Sequence, residues 1–213
     1  MPDINTILWD WNGTLLNDVE VSIESINELL FRRNLPTLSV EKYRDVFGFP
    51  VKDYYRRIGF DFRKEPFEIP AKEYIDTYQK NFSKASLQKN AAQLLEYYRV
   101  KGYSQVVLSA SEINNLHIQL LEHSVAHFFN EIAGLSDIYA SSKAELGIRT
   151  LEKLGINPEN ACLIGDTTHD FEVAQQIGCR CILIHGGHHS IKKLNETGVP
   201  VVSEINEVKK LLV

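Results

Sequence analysis

Three acids, a serine and a lysine occupy positions where a sheet-based protein could put them to chemical use. Asp10 ends the apolar run Ile7-Leu8-Trp9, Asp166 follows Ala161-Cys162-Leu163-Ile164-Gly165, and Asp170 comes one helical turn later. Ser109 closes a third run, Gln105-Val106-Val107-Leu108. Ligands of open parallel sheets bind just outside the carboxyl ends of the strands, so these residues converge if their strands are neighbours. Clustered carboxylates raise one another's pKa. A divalent cation removes that conflict, and hard oxygen donors beside a phosphate favour Mg²⁺. The plainer reading of Asp166 and Asp170 is helix capping, but no helix pattern starts directly after Asp10. Lys143 falls in the first turn of a predicted helix, against the positive end of the dipole, where a cation is disfavoured by about 0.3–1 kcal/mol. A phosphate or Asp10 nearby would account for it; an ordinary solvated lysine is the alternative.

The elements that must position these groups alternate. Leu87, Ala91, Leu94, Leu95 and Tyr98 give helical spacing closed by Gly102, and Ile113, Leu116 and Leu120 give another stripe. Ala144, Ile148 and Leu151 form a third, with Ser142 and Glu145 as a capping box and Gly155 as its stop. Val173, Ala174 and Ile177 make a helix ended by Gly178, Cys181 to Ile184 a strand, and Ser203 to Leu212 a last short helix with Ser203 as N-cap. Nearly continuous apolar strands between helices predict a parallel sheet covered on both faces. The start differs. After the strand Ile4 to Trp9, Asn17 is read as the cap of a helix striped by Val19, Ile23, Ile26 and Leu30, and helical patterns without a convincing strand run to Lys84. The expected architecture is α/β: a Rossmann-like parallel sheet core, residues 1–17 and 85–213, with an inserted helical cap domain, residues 18–84.

The 213 residues suit such an arrangement, and 44% apolar with 24% charged residues is a globular composition. No apolar run approaches the roughly 20 residues of a membrane span, and no basic-then-apolar leader is seen, so the expected location is cytoplasmic. A net charge of −5 argues against a nucleic-acid partner. Cys162, Cys179 and Cys181 lie in or beside apolar stretches and read as buried thiols. Oligomeric state is not readable.

Asp10-Trp11-Asn12-Gly13-Thr14-Leu15 resembles the first motif of the haloacid dehalogenase superfamily, usually Asp-x-Asp-Gly-Thr. Ser109, Lys143 and Gly165-Asp166-x-x-x-Asp170 resemble its second, third and fourth motifs in order. The similarity is nearest to the phosphoglycolate-phosphatase-like branch. It implies a hydrolase acting on a small phosphorylated metabolite through an aspartyl-phosphate on Asp10. Mg²⁺ would be held by Asp10, the backbone carbonyl of Asn12 and Asp166, with Asp170 a further or water-mediated ligand. Ser109, with Ala110 beside it, and Lys143 would bind the phosphoryl group.

One position departs from the pattern. The phosphatases of this family carry a general acid/base where Asn12 stands, and losing such a group costs about 10²–10⁴ in rate. A good leaving group, a substitute such as His169, phosphonate- or halide-cleaving chemistry, or phospho-ligand binding with little turnover would each explain it. The phosphonate-cleaving relatives use a cap lysine, and Lys42, Lys52, Lys64 and Lys72 are available. His185-Gly186-Gly187-His188-His189 reads as a flexible loop with solvated or substrate-side histidines, and His117 and His123 as solvated. Arg56 or Arg57 could hold an anionic substrate, against the plainer reading of a solvated helix face.

Overall fold

The computed structural model describes residues 3–135 and 142–212. β1 (Thr6–Trp9) leads through a loop to β2 (Leu16–Asn17), and then α1 (Val19–Arg32), α2 (Val40–Val46), α3 (Val51–Arg57) and α4 (Glu68–Asn81) follow. β3 (Ser86–Leu87) returns to the sheet side. There α5 (Ala91–Val100), β4 (Ser104–Glu112), α6 (Ile113–Glu122), β5 (Glu131–Leu135), α7 (Lys143–Leu154), β6 (Ala161–Gly165), α8 (Thr168–Ile177), β7 (Arg180–Ile184), α9 (Ile191–Asn195) and β8 (Val201–Val202) complete the chain. Six strands form one sheet in the order β5-β4-β1-β6-β7-β8, with every pairing parallel. This is the expected α/β fold with a helical insert.

Alternation along the strands divides the core. Ile7, Trp9, Val107 and Ile164 face Leu94, Leu95, Tyr98, Leu116 and Leu120 of α5 and α6. Leu8, Val106, Leu108 and Leu163 face Ala144, Leu151, Val173 and Ala174 of α7 and α8. Asp10 shares the parity of Leu8, so the period of two carries it toward the N-termini of α7 and α8. The insert has its own core, in which Ile26, Leu29 and Leu30 pack on Tyr43, Tyr54, Tyr55 and Phe60. Its two connections zip together as β2 and β3, with Leu16 opposite Leu87 and Asn17 opposite Ser86.

Several sequence expectations shift. Asn17 sits in β2 and caps nothing; Asp18 takes the N-cap position of α1 without a side-chain capping bond, because its carboxylate is engaged elsewhere. Leu87 belongs to β3 rather than to α5. Ile148 is exposed, and Gly147 instead lets α7 approach α8 and the sheet, where a Cβ would lie 2.4 Å from Ile177 Cδ1 of α8 and 3.0 Å from Leu108 Cδ2 of β4. The tail is a 3-10 turn, Ile205–Lys210, capped reciprocally by Glu204 and Glu207 rather than by Ser203. All three cysteines are free thiols. Among the described residues no helix is long and apolar enough to cross a membrane.

Candidate active site

The central position of β1 decides the site. With β4 on one side and β6 on the other, Asp10, Ser109 and Asp166 emerge side by side at the carboxyl edge. Asp10, Asp166 and Asp170 are all buried, and each offers an oxygen within 4.8 Å of the others'. Lys143 at the start of α7 reaches between them, its Nζ 2.5 Å from Asp10 Oδ1 and 2.6 Å from Asp170 Oδ1. The unfavourable dipole position of Lys143 is thus offset by two carboxylates. Burial alone would lower its pKa, but the Asp10 and Asp170 charges reverse the shift and hold it above the usual lysine range.

The acids divide the charge unequally. Burial pushes Asp10 up to about 8 against the pull of Lys143, with Asp170 and Asp166 adding to the rise. Burial likewise lifts Asp166, to about 6. Burial works on Asp170 too, but Lys143 outweighs it and the carboxyl is held below its ordinary value. Thr14 Oγ1 lies 3.2 Å from Asp10 Oδ2 and 2.9 Å from Asp166 Oδ1, and its single proton serves one oxygen at a time. A Cβ on Gly13 would fall 2.3 Å from Asp166 Oδ2, and one on Gly187 2.2 Å from it, so both glycines let the backbone close on that acid. Hard oxygen donors that repel one another within 4.8 Å fit a small divalent cation. Asp170 is also the N3 residue of a capping box with Thr167, its Oδ2 accepting from the Thr167 amide and hydroxyl. The capping and site readings of this residue therefore hold together.

Ser109 is buried beside this cluster, its Oγ accepting from the Ser111 amide, while Ala110 is exposed and lines the cavity above. That cavity, about 370 Å³, lies between the carboxyl edge and the insert. The insert sits closed upon it. Arg44 donates to the Gly186 and Gly187 carbonyls, Lys193 donates to the Phe47 carbonyl, and Phe49 stacks on His169 at 4.4 Å. His169 thus lines the cavity beneath an aromatic ring, with Nδ1 3.2 Å from Glu172. Arg56 is exposed and pairs with Asp53; neither it nor Arg57 lines the cavity, nor do Lys42, Lys52, Lys64 or Lys72.

A second buried network adjoins Asn12. Its Nδ2 donates to Asp18 Oδ2 at 2.8 Å and to Tyr78 Oη at 3.0 Å, and its Oδ1 accepts from Ser111 Oγ at 2.9 Å. Asp18 also accepts from the Gly13 amide, Tyr78 Oη and His188 Nε2. His188 Nδ1 lies 2.9 Å from the Tyr43 hydroxyl, and its backbone amide donates to Asp166 Oδ2. Sequence reasoning missed Asp18, Tyr43 and Tyr78, and took His188 and His189 for a flexible, solvated or substrate-side pair. Both are buried. The histidine run itself was the available signal, since its glycines allow close approach to Asp166. His123 also departs from its expected solvation: it is half-buried against Trp11 and Phe82.

The adjacent histidines titrate in opposite senses. Burial would lower His188, but the Asp18 carboxylate raises it to about 9. Burial, with help from Lys193, lowers His189 to about 3, and its Nδ1 accepts from the Thr168 amide. In the metal-free protein at pH 7, imidazole ¹⁵N shifts should show His188 doubly protonated and His189 neutral. The His189 contribution to stability is complete above its unfolded pKa near 6.5 and is lost as pH falls toward 3. That of His188 is complete below 6.5 and is lost as pH rises through 9. Each slope is at most about 1.4 kcal/mol per pH unit. Two neutral rings at pH 7 would contradict the arrangement.

The sequence profile of the haloacid dehalogenase-like hydrolases matches residues 7–184. A phosphoglycolate phosphatase from Aquifex aeolicus is 28% identical over 196 residues, covering 87% of this chain and 86% of that protein. Pyrophosphatase PpaX from Oceanobacillus iheyensis is 26% identical over 181 residues, covering 81% and 79%. The solved structure of a haloacid dehalogenase-like family hydrolase from Streptococcus pneumoniae superposes with a TM-score of 0.86 at 22% identity, covering 99% of each chain. The chain belongs to the haloacid dehalogenase-like hydrolases, in the branch that holds the phosphoglycolate phosphatases.

Proposed function

We propose that the protein is a Mg²⁺-dependent phosphatase acting on a small phosphorylated metabolite through an aspartyl-phosphate on Asp10. The observation that carries this is the buried Asp10 carboxylate, paired with Lys143 and set within 4.8 Å of Asp166 and Asp170 oxygens. The phosphatase names of its relatives agree with it. Asp10 attacks phosphorus, the bond to the leaving oxygen breaks, and water then releases phosphate from Asp10. Lys143 pulls Asp10 toward its ionised form, which bound Mg²⁺ would complete, and receives charge from the phosphoryl oxygens, while Ser109, beside Ala110, donates to one of them. Asp10, the Asn12 carbonyl and Asp166 would hold Mg²⁺, and Asp170, whose oxygens already serve Lys143 and Thr167, would reach it through water. Bound there, Mg²⁺ supplies charge neutralisation for the acids and the phosphoryl group.

Residues 1–17 and 85–213 act as the catalytic core and residues 18–84 as a cap that excludes water when closed. Three free thiols and the lack of an apolar spanning helix among the described residues suit work in the cytoplasm. The phosphonate alternative lacks its key group, since no cap lysine lines the cavity. Chelation should remove phosphate release completely and Mg²⁺ should restore it, with Asp166→Asn needing at least about 10-fold more metal. Undiminished release after exhaustive chelation would exclude the mechanism.

A further inference from the structure

The wall that the insert presents to the cavity is aromatic. Phe47, Phe49, Tyr54, Tyr55, Tyr74 and Tyr78 all line it. Among the described lining residues Lys143 is the single Lys or Arg, and both of its strong contacts are with Asp10 and Asp170. The other formal charges on the lining outside the acid cluster and the Asp18–His188 pair are Glu68 and Glu112. Residues 136–141 contain no Lys or Arg. A second anionic group on a substrate, a carboxylate or a further phosphate, would be desolvated there with neutral donors but no cationic partner among the described lining residues, which is costly.

The other half of the argument comes from Asn12. Its amide is bound on both ends, by Asp18 and Tyr78 on one side and Ser111 on the other, and it has no proton to give near neutrality. An alkoxide leaving without a proton is strongly disfavoured. A phenoxide, whose conjugate acid has a pKa of about 10 like that of tyrosine, leaves far more readily.

From these two independent features we infer that the substrate is a phosphomonoester of an aromatic alcohol carrying no second anionic group. This rests on the phosphatase reading above and departs from what the names of the relatives would suggest. Asp10 forms the bond to phosphorus, and the phosphorus–oxygen bond to the ring breaks. The aryloxide leaves with the bonding pair and takes a proton from solvent. Water then attacks phosphorus, Asp10 is regenerated, and one water is consumed per phenol and inorganic phosphate released. A cavity of about 370 Å³ accommodates a ring and a phosphoryl group.

The test compares kcat/KM with Mg²⁺ for 4-methylphenyl phosphate, 4-carboxyphenyl phosphate, phosphoglycolate and pyrophosphate. The carboxyphenyl ester has the better leaving group, so chemistry alone favours it. The expected result is a preference for the methylphenyl ester of about 10²-fold, with phosphoglycolate and pyrophosphate at least as poor as the carboxyphenyl ester. Ile75→Arg, which adds a cation to the cap wall, should narrow that ratio by about 10-fold. A binding measurement needs neither turnover nor a variant: by NMR titration 4-methylphenol should bind the wild type at least about 10-fold tighter than 4-hydroxybenzoate. Turnover with the carboxyphenyl ester, phosphoglycolate or pyrophosphate preferred would overturn this inference and leave the phosphatase reading standing. No turnover of any of the four at saturating Mg²⁺ would overturn both.

Discussion

Asp10→Asn should reduce phosphate release by about 10⁴ or more, as loss of a nucleophile does, while making the metal-free protein more stable. The two effects share a cause. Asp10 is buried among acids and its pKa stands near 8, so the folded state holds a proton that the unfolded state releases above pH 4. That proton uptake opposes folding increasingly as pH rises between those values. An amide of the same shape removes the repulsion and can donate toward Asp166, and Lys143 retains Asp170 as its partner. We expect a gain of about 2 kcal/mol at pH 7 in urea unfolding with chelator present. With saturating Mg²⁺ the order should reverse, because binding stabilises the wild type more. Retained turnover would remove Asp10 from its role, and a loss of metal-free stability would show that the Lys143 pairing outweighs the repulsion.

The second large effect concerns Asn12. Asn12→Asp should raise turnover of alkyl phosphates by about 10-fold or more, since it introduces a group able to protonate the leaving oxygen and later to take a proton from water. Aryl esters should gain less at the transfer step. The structure adds a cost. The new carboxylate would lie against Asp18 Oδ2, where Asn12 Nδ2 now donates at 2.8 Å. Two carboxylates at that distance share a proton or separate, so the variant should lose about 1–3 kcal/mol. Asp18 presents Oδ1 to the Gly13 amide and His188, and Oδ2 to Asn12 and Tyr78. Adding Asp18→Asn therefore restores the hydrogen bond in the reverse direction and should recover most of the stability while keeping the activity gain. Equal rates for wild type and Asn12→Asp on alkyl esters, with intact Asn12 confirmed by mass, would mean that another group supplies the proton.

The residues that were legible in the sequence were those whose type and local position both carried information. An acid directly after a continuous apolar strand is such a case, and Asp10 and Asp166 stood out for that reason. β4, β6 and β7 were legible because their side chains are buried on both faces. β5 was not: Glu131-Ile-Ala-Gly-Leu is only half-buried at the sheet edge and includes a glycine, so it lacks the dense apolar signature of a central strand. β8 is two residues long and gives no period to count. The network around Asp18 was hidden for a different reason. Tyr78 lies 60 residues from Asp18 and His188 lies 170, and no local pattern links them. Asn17 and Asp18 are both capping residues by type, and only the long-range partners decide that Asp18 serves the network. The cap showed itself as helical but not as aromatic-faced, because which side of α2, α3 and α4 meets the cavity depends on how the insert docks.

The parallel sheet has a temporal consequence as well. Thr6 pairs with Ser104 on one side and with Ala161 on the other. The strand that carries Asp10 leaves the ribosome well before either of its neighbours, β4 and then β6, has been made. Contacts this distant in sequence form slowly. The insert, whose helices are neighbours in sequence, can gather its own core meanwhile, and the β2–β3 pairing then brings the ends of a long excursion together before β4 docks. The carboxyl edge of the sheet is therefore assembled last, and a nascent chain that stops short of β6 has Asp10 but no Asp166 beside it.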